Sequence, residues 1–211
     1  MNILEKLRQP THNVHIGAPL NKGSVNLTPT VLRGYKRVTL WVTGTNLIQF
    51  KSPTHGGHYN IDAIASCEYG KDHSRNGKRS SFKENCTCGF YAFKTEAEAW
   101  GYKLDRRNEG LVIETAISGE YYEYDGGFRY EKQRVTKIIT RNCEWAMSHN
   151  GSPKAVAFVH NRFNELMPVC QEHADHGPFS DRVISFDRLV SALGRSESFK
   201  HKLPTVESFA L

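Results

Sequence analysis

Two cysteines one residue apart, Cys86 and Cys88, form the feature that most restricts how this chain can fold. They lead directly into Gly89 and a short aromatic run. Thiols at this spacing favour metal ligation, although free cysteines are also among the residues most often buried without a metal. Together with the cysteine and histidine that precede them, they define a first candidate metal group: Cys67, His73, Cys86 and Cys88.

This first group has two interpretations. Zinc prefers four tetrahedral ligands, with thiolate and imidazole among them, and His55 or His58 can replace His73 as the fourth ligand. The Cys-x-Cys spacing is nevertheless tighter than the Cys-x-x-Cys of most zinc knuckles. The pattern therefore fits either a metal that ties the loop before Cys86 back to Cys67, or a pocket in which the three thiols are buried together.

A second group of candidate ligands begins at Cys143 and has a more regular pattern. One ligand pair precedes a predicted strand hairpin and a Cys-x-x-His pair follows it, which is how small zinc ribbons and treble-clef fingers are built. Such units are too small to fold by hydrophobic burial alone, so the metal supplies their stability. The predicted ligands of a structural Zn2+ are Cys143, His149, Cys170 and His173, with His160 and His176 as alternatives for the fourth position.

The charge of the chain favours a negatively charged partner. Its formal net charge is +6 and its pI is about 9.1, which suits DNA or RNA first and an acidic protein second. Residues 69–85 are predicted to form a long polar loop, and they carry an excess of basic side chains. This loop is the best candidate for phosphate contact in the chain, and the alternative is a charged surface that only keeps the protein soluble. The basic residues concerned are Lys71, Arg75, Lys78, Arg79 and Lys83.

The hydrophobic pattern predicts an α+β fold with a mostly antiparallel sheet and a few short helices. Alternating residues over 35–42 and the apolar run at 47–50 indicate a hairpin, with Val38, Leu40 and Val42 facing the core. Residues 111–140 are predicted as a three-stranded meander with turns at 118–119 and 125–127.

Two helices are predicted from their start signals. Thr95 and Glu98 fit a capping box, and the helix that follows is expected to run to about Arg107. Ser185 is expected to cap a short helix that runs through Leu193.

The organisation along the chain is predicted as four segments. They are an irregular N-terminal arm (1–30), an α+β core domain that carries the C-x-C-G signature (31–140), a zinc-finger-like module (141–177), and a short helix with a polar tail (178–211).

The sequence predicts a cytoplasmic protein. The N-terminal residues contain no uninterrupted apolar segment of the kind found in secretory signals. No run of about eighteen apolar residues is present, so no membrane partner is expected. An odd number of cysteines, five, clustered by spacing, favours metal ligation or burial over disulfides in a reducing compartment.

The motifs favour a non-enzymatic binding protein. The sequence has no G-x-S-x-G elbow, no H-E-x-x-H and no phosphate-binding glycine motif. A Cys-dependent enzyme is the alternative, with a thiol of Cys86 or Cys88 beside His73, or Cys170 beside His173. Four protein ligands at the second zinc group would leave no open position for a catalytic water, so a structural metal is expected.

Residues from 32 to about 138 resemble a family of small, uncharacterised proteins of actinobacteria and their phages. That family has a G-[FY]-R-x-W-like strand, a cysteine, a C-x-C-G-[FIL]-Y-A signature and a late G-[FY]-R-A-E strand end. The matching segments are Gly34-Tyr35-Lys36-Arg37 with Trp41, then Cys67, Cys86 to Ala92, and Gly127-Phe128-Arg129-Tyr130-Glu131, where Tyr130 replaces the alanine.

Residues 142–174 are similar to a second small unit of such phage genes, C-x-x-C-G-x-P-A followed by C-x-x-H-A. Cys143, the 151–155 stretch and the 170–174 stretch fit, while the second cysteine is absent and His149 is the replacement. The two resemblances imply a fold, zinc, and a phage or actinobacterial origin. Separately, the basic residues of 69–85 and the spacing of the candidate ligands predict action in the host cytoplasm on nucleic acid or on a host protein. The resemblances add nothing to that prediction beyond the origin of the chain. They imply no activity.

Overall fold

In the part of the chain that the structure describes, antiparallel strands predominate and short helices pack beside them, so the predicted α+β class with a mostly antiparallel sheet is confirmed. The computed structural model describes residues 21–25, 32–44, 47–52, 57–65, 88–102, 110–145, 151, 153–176, 180–195 and 205–208. Among these residues, no helix has the length and apolar character needed to cross a bilayer.

The strands and helices follow one another in the order β1 (Asn21–Val25), β2 (Arg33–Val42), β3 (Ile48–Lys51), β4 (His58–Tyr59), β5 (Asp62–Ile64), β6 (Phe90–Phe93), α1 (Glu96–Gly101), β7 (Leu111–Tyr124), β8 (Gly127–Thr140), β9 (Ala157–His160), β10 (Glu165–Val169), α2 (Gln171–His176), β11 (Val183–Ser185), α3 (Phe186–Arg195) and β12 (Thr205–Ser208).

Four of the strands close into a ring. β2 pairs with β7, β7 pairs along its length with β8, β8 pairs with β6, and β6 returns to β2 where Tyr35 faces Phe93. The long β7–β8 hairpin supplies most of this ring, because each of its strands contains 14 residues. Closure leaves these strands fewer unpaired backbone groups than an open sheet of the same strands would expose.

On one side of the ring the sheet extends from β2, while β1 pairs with β7 and both β5 and β12 pair with β8. β10 pairs with β2, β9 with β10, and β11 with β9. Phe158 of β9, Leu166 of β10 and Leu189 of α3 are buried in the same core as β2. The segment predicted as a zinc module is therefore joined to the main sheet by strand pairing and by shared core residues, while the predicted domain boundaries remain predictions.

Gly34 lies in β2 where this strand of the ring approaches β6. A Cβ atom at this position would lie 2.6 Å from the Cβ of Ala92 and 3.1 Å from the Cδ1 of Ile117, both of which are buried. Two backbones can approach this closely only when one residue has no side chain.

We expect Gly34→Ala to lower the free energy of unfolding by about 2 kcal/mol, because the added methyl group overpacks the ring interior. Urea unfolding followed by circular dichroism measures the change. Gly44→Ala is the matched control, since a Cβ there meets nothing within 4 Å. Equal stability of the two variants would show that the ring is not tightly packed at Gly34.

The predicted capping box at Thr95 is confirmed. The Thr95 Oγ1 accepts a hydrogen bond from the Glu98 backbone N–H at 3.2 Å, and the Glu98 carboxylate accepts one from the Thr95 backbone N–H at 3.0 Å. Two backbone donors at the start of α1 are thereby satisfied. The cap positions Trp100, which is buried in α1 against the ring.

Replacing Thr95 by alanine removes the acceptor for the Glu98 N–H, so we expect a loss of about 1 kcal/mol in stability. Thr95→Ser keeps a hydroxyl in the same place and serves as the control. Thermal unfolding of both variants checks the prediction, which is wrong if serine and alanine destabilise the protein equally.

Three further local predictions are corrected or refined. The turn predicted at residues 118–119 is wrong: β7 runs on as one strand, and Gly119, with φ of +74°, lies at an irregularity where the register with β8 shifts. The helix predicted to reach Arg107 ends at Gly101, because Tyr102 has extended backbone angles. The Ser185 cap is confirmed, since its Oγ accepts a hydrogen bond from the Arg188 backbone N–H, but the helix includes residue 194 and ends at Arg195.

The segments predicted to be irregular at the two ends of the chain contain strands. β1 lies within the predicted N-terminal arm and pairs with β7 in antiparallel orientation. β12 lies within the predicted polar tail and pairs with β8 in parallel orientation. Both pairings join residues far apart in sequence, so the local composition does not reveal them.

A lysine is buried inside the ring among polar and aromatic side chains. Lys36 is 8% exposed and lies on the core face of β2, and its Nζ donates a hydrogen bond to the Gln133 Oε1 at 3.2 Å. The Nζ lies 4.6 Å from the ring centroids of both Tyr59 and Phe90. Loss of solvation lowers the pKa of Lys36 to about 7.

Candidate metal centre

The second predicted group brings three ligands together at one end of the β9–β10 hairpin. Cys143 follows β8, Cys170 follows the last residue of β10, and His173 lies in the first turn of α2. The carbonyl of Cys170 accepts the first hydrogen bond of that helix, from Ala174. Residues three apart at a helix start lie on one side of it, so the Cys-x-x-His spacing places both side chains toward Cys143.

The three ligand atoms are close enough to share one ion. The Cys143 Sγ lies 3.2 Å from the His173 Nδ1, and the Cys170 Sγ lies 3.7 Å from the same nitrogen. All three atoms lie within 4.8 Å of one another. Zn–S bonds are about 2.3 Å long and Zn–N bonds about 2.0 Å, so one ion at the centre of this group would contact every ligand after small side-chain adjustments.

Backbone hydrogen bonds fix the loop that carries Cys143. The Cys143 N–H donates to the Pro153 carbonyl at 2.9 Å, and the Glu144 N–H donates to the Pro168 carbonyl at 3.0 Å. Asn142 and Lys154 form a further antiparallel bridge. The loop is thereby attached to both sides of the hairpin, and its thiol is positioned by main-chain contacts rather than by its own rotamer alone.

The groups around the Cys143 thiol shift its pKa in opposite directions, and this environment is compatible with metal ligation. Burial, and to a smaller degree the neighbouring Cys170 thiol, raise the pKa of Cys143 above its usual range. The backbone N–H groups of Cys170 and Trp145 bond to the Cys143 sulfur and act in the opposite direction. Backbone donors aimed at a sulfur stabilise the thiolate once a metal is bound, because they disperse its charge.

The buried side chains that surround the candidate ligands are few and small. The buried residues packed around it are two cysteines, two alanines and two valines: Cys143, Cys170, Ala157, Ala174, Val159 and Val169. Trp145, Met167 and Val183 cover this small cluster from outside. A cluster without a large buried side chain supplies little hydrophobic stability, so cross-linking by a metal would contribute strongly here.

Trp145 is a residue at the site that the ligand pattern in the sequence does not indicate. Its ring lies 5.4 Å from the ring of His173, at an interplanar angle of 54°. The one feature of the sequence that could indicate Trp145 is its position two residues after Cys143, where a large apolar side chain can shield a ligand from solvent. Because the indole lies beside His173, we expect its emission to change when the imidazole binds a metal.

The structure does not place any of the three candidates for the fourth ligand at this centre. His149 lies outside the described residues, so its place at this centre remains a prediction. His160 and His176 are described, but neither belongs to the group of ligand atoms that lie within 4.8 Å of one another. His176 is exposed on α2. His160 is at the end of β9, beyond the Ala157 end that faces the two cysteines.

The first predicted group is described only at one residue. Cys88 is buried, with 7% of its surface exposed, and lies two residues before the start of β6. Cys67, His73 and Cys86 lie outside the described residues, so this group remains a prediction. Among the alternative ligands His55 is also outside, and His58 is exposed on β4. The basic residues of the predicted loop also lie outside the described residues, so phosphate contact through them remains a prediction: Lys71, Arg75, Lys78, Arg79 and Lys83.

In comparisons with known proteins, no family model, no curated protein and no solved structure matches the chain. The functional conclusion therefore rests on the geometry of the site itself.

Proposed function

We propose that this chain is a non-enzymatic protein with a structural Zn2+ held by Cys143, Cys170 and His173, and that it acts by binding nucleic acid. The observation that carries the metal part is the convergence of two thiols and one imidazole within 4.8 Å of one another. Thiolate and imidazole together select zinc over calcium or magnesium, which prefer oxygen ligands. His149 is the proposed fourth ligand.

A metal role is favoured over a thiol nucleophile. A catalytic cysteine needs exposure and a depressed pKa, whereas Cys143 is 2% exposed and burial raises its pKa. Cys170 is 4% exposed and shares the same imidazole nitrogen. Two thiols on one histidine suit a shared cation, since one base cannot activate both.

Charge supports the nucleic-acid part of the proposal. The net charge of +6 favours a polyanion, and the basic loop over 69–85 is proposed to add phosphate contacts. Binding of an acidic host protein is the competing possibility, because it uses the same excess of positive charge. The resemblance of the C-x-C-G stretch and of the 142–174 unit to actinophage proteins supports a phage origin and action in the host cytoplasm.

Cobalt substitution tests the ligand set. Protein refolded with Co2+ in place of the native metal is expected to show intense sulfur-to-cobalt charge-transfer absorption and tetrahedral d–d bands. His173→Ala should alter the d–d bands while Cys143→Ser reduces the charge-transfer band. Cobalt that binds without any thiolate absorption would contradict the assignment. Quenching of Trp145 emission, absent in Trp145→Phe, gives an independent readout, because the ring lies beside His173.

Titration with fluorescent DNA and RNA at about 50 mM salt tests the partner, since phosphate contacts are strongest at low salt. Affinity that falls steeply as salt rises is the expected result. No affinity for either polymer would contradict the nucleic-acid proposal. A protein captured from nuclease-treated host lysate, together with that absence, would favour the acidic-protein alternative.

A further inference from the structure

The sheet formed by β10, β2, β3 and β4 has one face that no buried apolar cluster of the described residues accounts for. On the core face, Leu40, Phe50 and Leu166 are buried. Side chains alternate along a strand, so Trp41 of β2, Lys51 of β3 and their paired neighbours lie on the opposite face. The features of this outer face therefore need their own explanation.

Trp41 is surrounded by polar and cationic groups. The Lys51 Nζ lies 4.1 Å from the centroid of its ring, and the His58 ring lies 5.4 Å away. Beside them, the Gln49 side-chain amide donates a hydrogen bond to the Asn60 side-chain oxygen at 3.1 Å. A half-buried indole among a cation, an imidazole and two amides resembles a recognition surface more than a packing core.

A second aromatic residue is held rigidly beside this face. The β9–β10 turn adjoins the end of β2, because the Val42 N–H donates to the Asn164 carbonyl at 2.8 Å. Phe163 in this turn is 59% exposed. The Asn161 side-chain oxygen accepts hydrogen bonds from the backbone N–H groups of Phe163 at 2.8 Å and Glu165 at 3.0 Å, so the turn is fixed from within.

Each of the two aromatic rings carries its own cation. The Arg162 guanidinium lies 4.8 Å from the centroid of the Phe163 ring, as Lys51 does over Trp41 at a shorter distance. Glu165 lies 3.9 Å from the Lys51 Nζ but is buried, so it offsets that charge without presenting a carboxylate to a ligand. Trp41 and the mostly buried Lys51 thus lie on adjacent strands of the outer face, and the turn beside it carries the exposed Phe163 and Arg162.

We propose that single-stranded nucleic acid binds across this face, with bases stacked on Trp41 and Phe163 and phosphates contacted by Lys51 and Arg162. This inference rests on the proposed nucleic-acid function and names a surface for it. Base stacking explains why an aromatic ring is kept exposed on a rigid turn, which contact with acidic side chains alone would not require. Stacking is sequence-tolerant, so little base preference is expected.

Fluorescence anisotropy with labelled oligothymidylate, oligouridylate and a duplex of the same length tests the proposal. Phe163→Ala is expected to weaken single-strand binding about ten-fold, and Trp41→Leu at least as much. Arg162→Ala should reduce the slope of log affinity against log salt by about one. Ile64→Ala, an exposed apolar side chain on β5, and Arg188→Ala, an exposed arginine on α3, are the matched controls and should bind as the wild type does.

The outcomes separate the two proposals. Wild-type binding that Phe163→Ala and Trp41→Leu leave unchanged would overturn this surface while the nucleic-acid function stands. The surface is likewise overturned if the duplex binds as tightly as the single strands and all variants behave alike. Absence of wild-type binding to all three probes would overturn both proposals. Circular dichroism of each variant shows whether it is folded, so that a loss of affinity can be assigned to the changed side chain. Phe163→Ala is expected to disturb the fold less than Trp41→Leu, because the Phe163 side chain is exposed.

Discussion

Cys170→Ser is expected to lower the free energy of unfolding by about 4 kcal/mol and to abolish the stabilisation expected from the proposed zinc. The thiol is one of three candidate ligands, in a cluster whose other buried members are small. The effect should reach the whole protein, because β10 ends at the residue before Cys170 and pairs with β2. Chemical denaturation of the zinc-loaded and chelator-treated protein measures it.

Val169→Ala is the matched control for this prediction. It removes buried apolar volume from the same cluster, next to Cys170 in sequence, without removing a ligand. Its cost should therefore be the same with and without chelator, whereas Cys170→Ser should resemble the chelated wild type. A chelator that leaves the stability of the wild type unchanged would contradict a structural metal.

Lys36→Met is expected to stabilise the protein at neutral and lower pH by about 3 kcal/mol. The lysine is buried in the ring, and burial lowers its pKa to about 7, whereas an unfolded chain has a lysine pKa of about 10.4. Keeping the amine charged below pH 7 thus costs free energy in the folded state. The rings of Tyr59 and Phe90 recover part of that cost through cation–π contacts.

The pH dependence gives this prediction a distinct signature. Between about pH 7 and pH 10.4 the unfolded state binds the proton and the folded state does not, so wild-type stability rises with pH in this window. Below pH 7 both states bind the proton and the penalty is constant. The advantage of Lys36→Met should therefore shrink as pH rises and be small near pH 10. Burial also raises the pKa values of Tyr59 and Tyr130, so these neighbouring hydroxyls stay protonated over the window.

Urea unfolding of the wild type and of Lys36→Met at several pH values is the measurement, and Lys154→Met is the control because its side chain is exposed. Lys154→Met should not reproduce the pH-dependent advantage of Lys36→Met. A constant difference between wild type and Lys36→Met would show that the amine is hydrated in the folded state.

Local chemistry in the sequence is sufficient to predict several elements. The Thr95 capping box and the Ser185 cap follow from side chains that satisfy backbone donors within four residues. The hairpin of β2 and β3 follows from strict alternation, and Val38, Leu40 and Val42 are buried as predicted. Interactions of this kind depend on a few neighbouring residues, and the sequence contains all of them.

Long-range pairing explains the elements that the sequence does not predict. β1 and β12 gain their structure from β7 and β8, so their own polar composition predicts irregular chain. Gly119 suggests a turn because glycine is common in turns, but in β7 its positive φ accommodates an irregular register. Lysine is rarely buried, and the partners that surround Lys36 lie on other strands, so its own segment does not indicate the burial.

The metal centre is an intermediate case. Cys-x-x-His spacing near a predicted hairpin indicates that Cys170 and His173 act together, and the structure places Cys143 beside them. The approach of Cys143 depends on main-chain bonds to Pro153 and Pro168, which no spacing rule contains. The pattern is therefore enough to propose the ligands, while their distances require the fold.

Elemental analysis of zinc in the purified protein tests the central claim most directly. The wild type is predicted to contain zinc after extensive dialysis, and Cys170→Ser is predicted to contain one equivalent less per chain. Cys88→Ser, measured in parallel, reports separately on the first cysteine group. A wild type without zinc, or a Cys170→Ser variant with the same zinc content as the wild type, would contradict a metal centre at Cys143, Cys170 and His173.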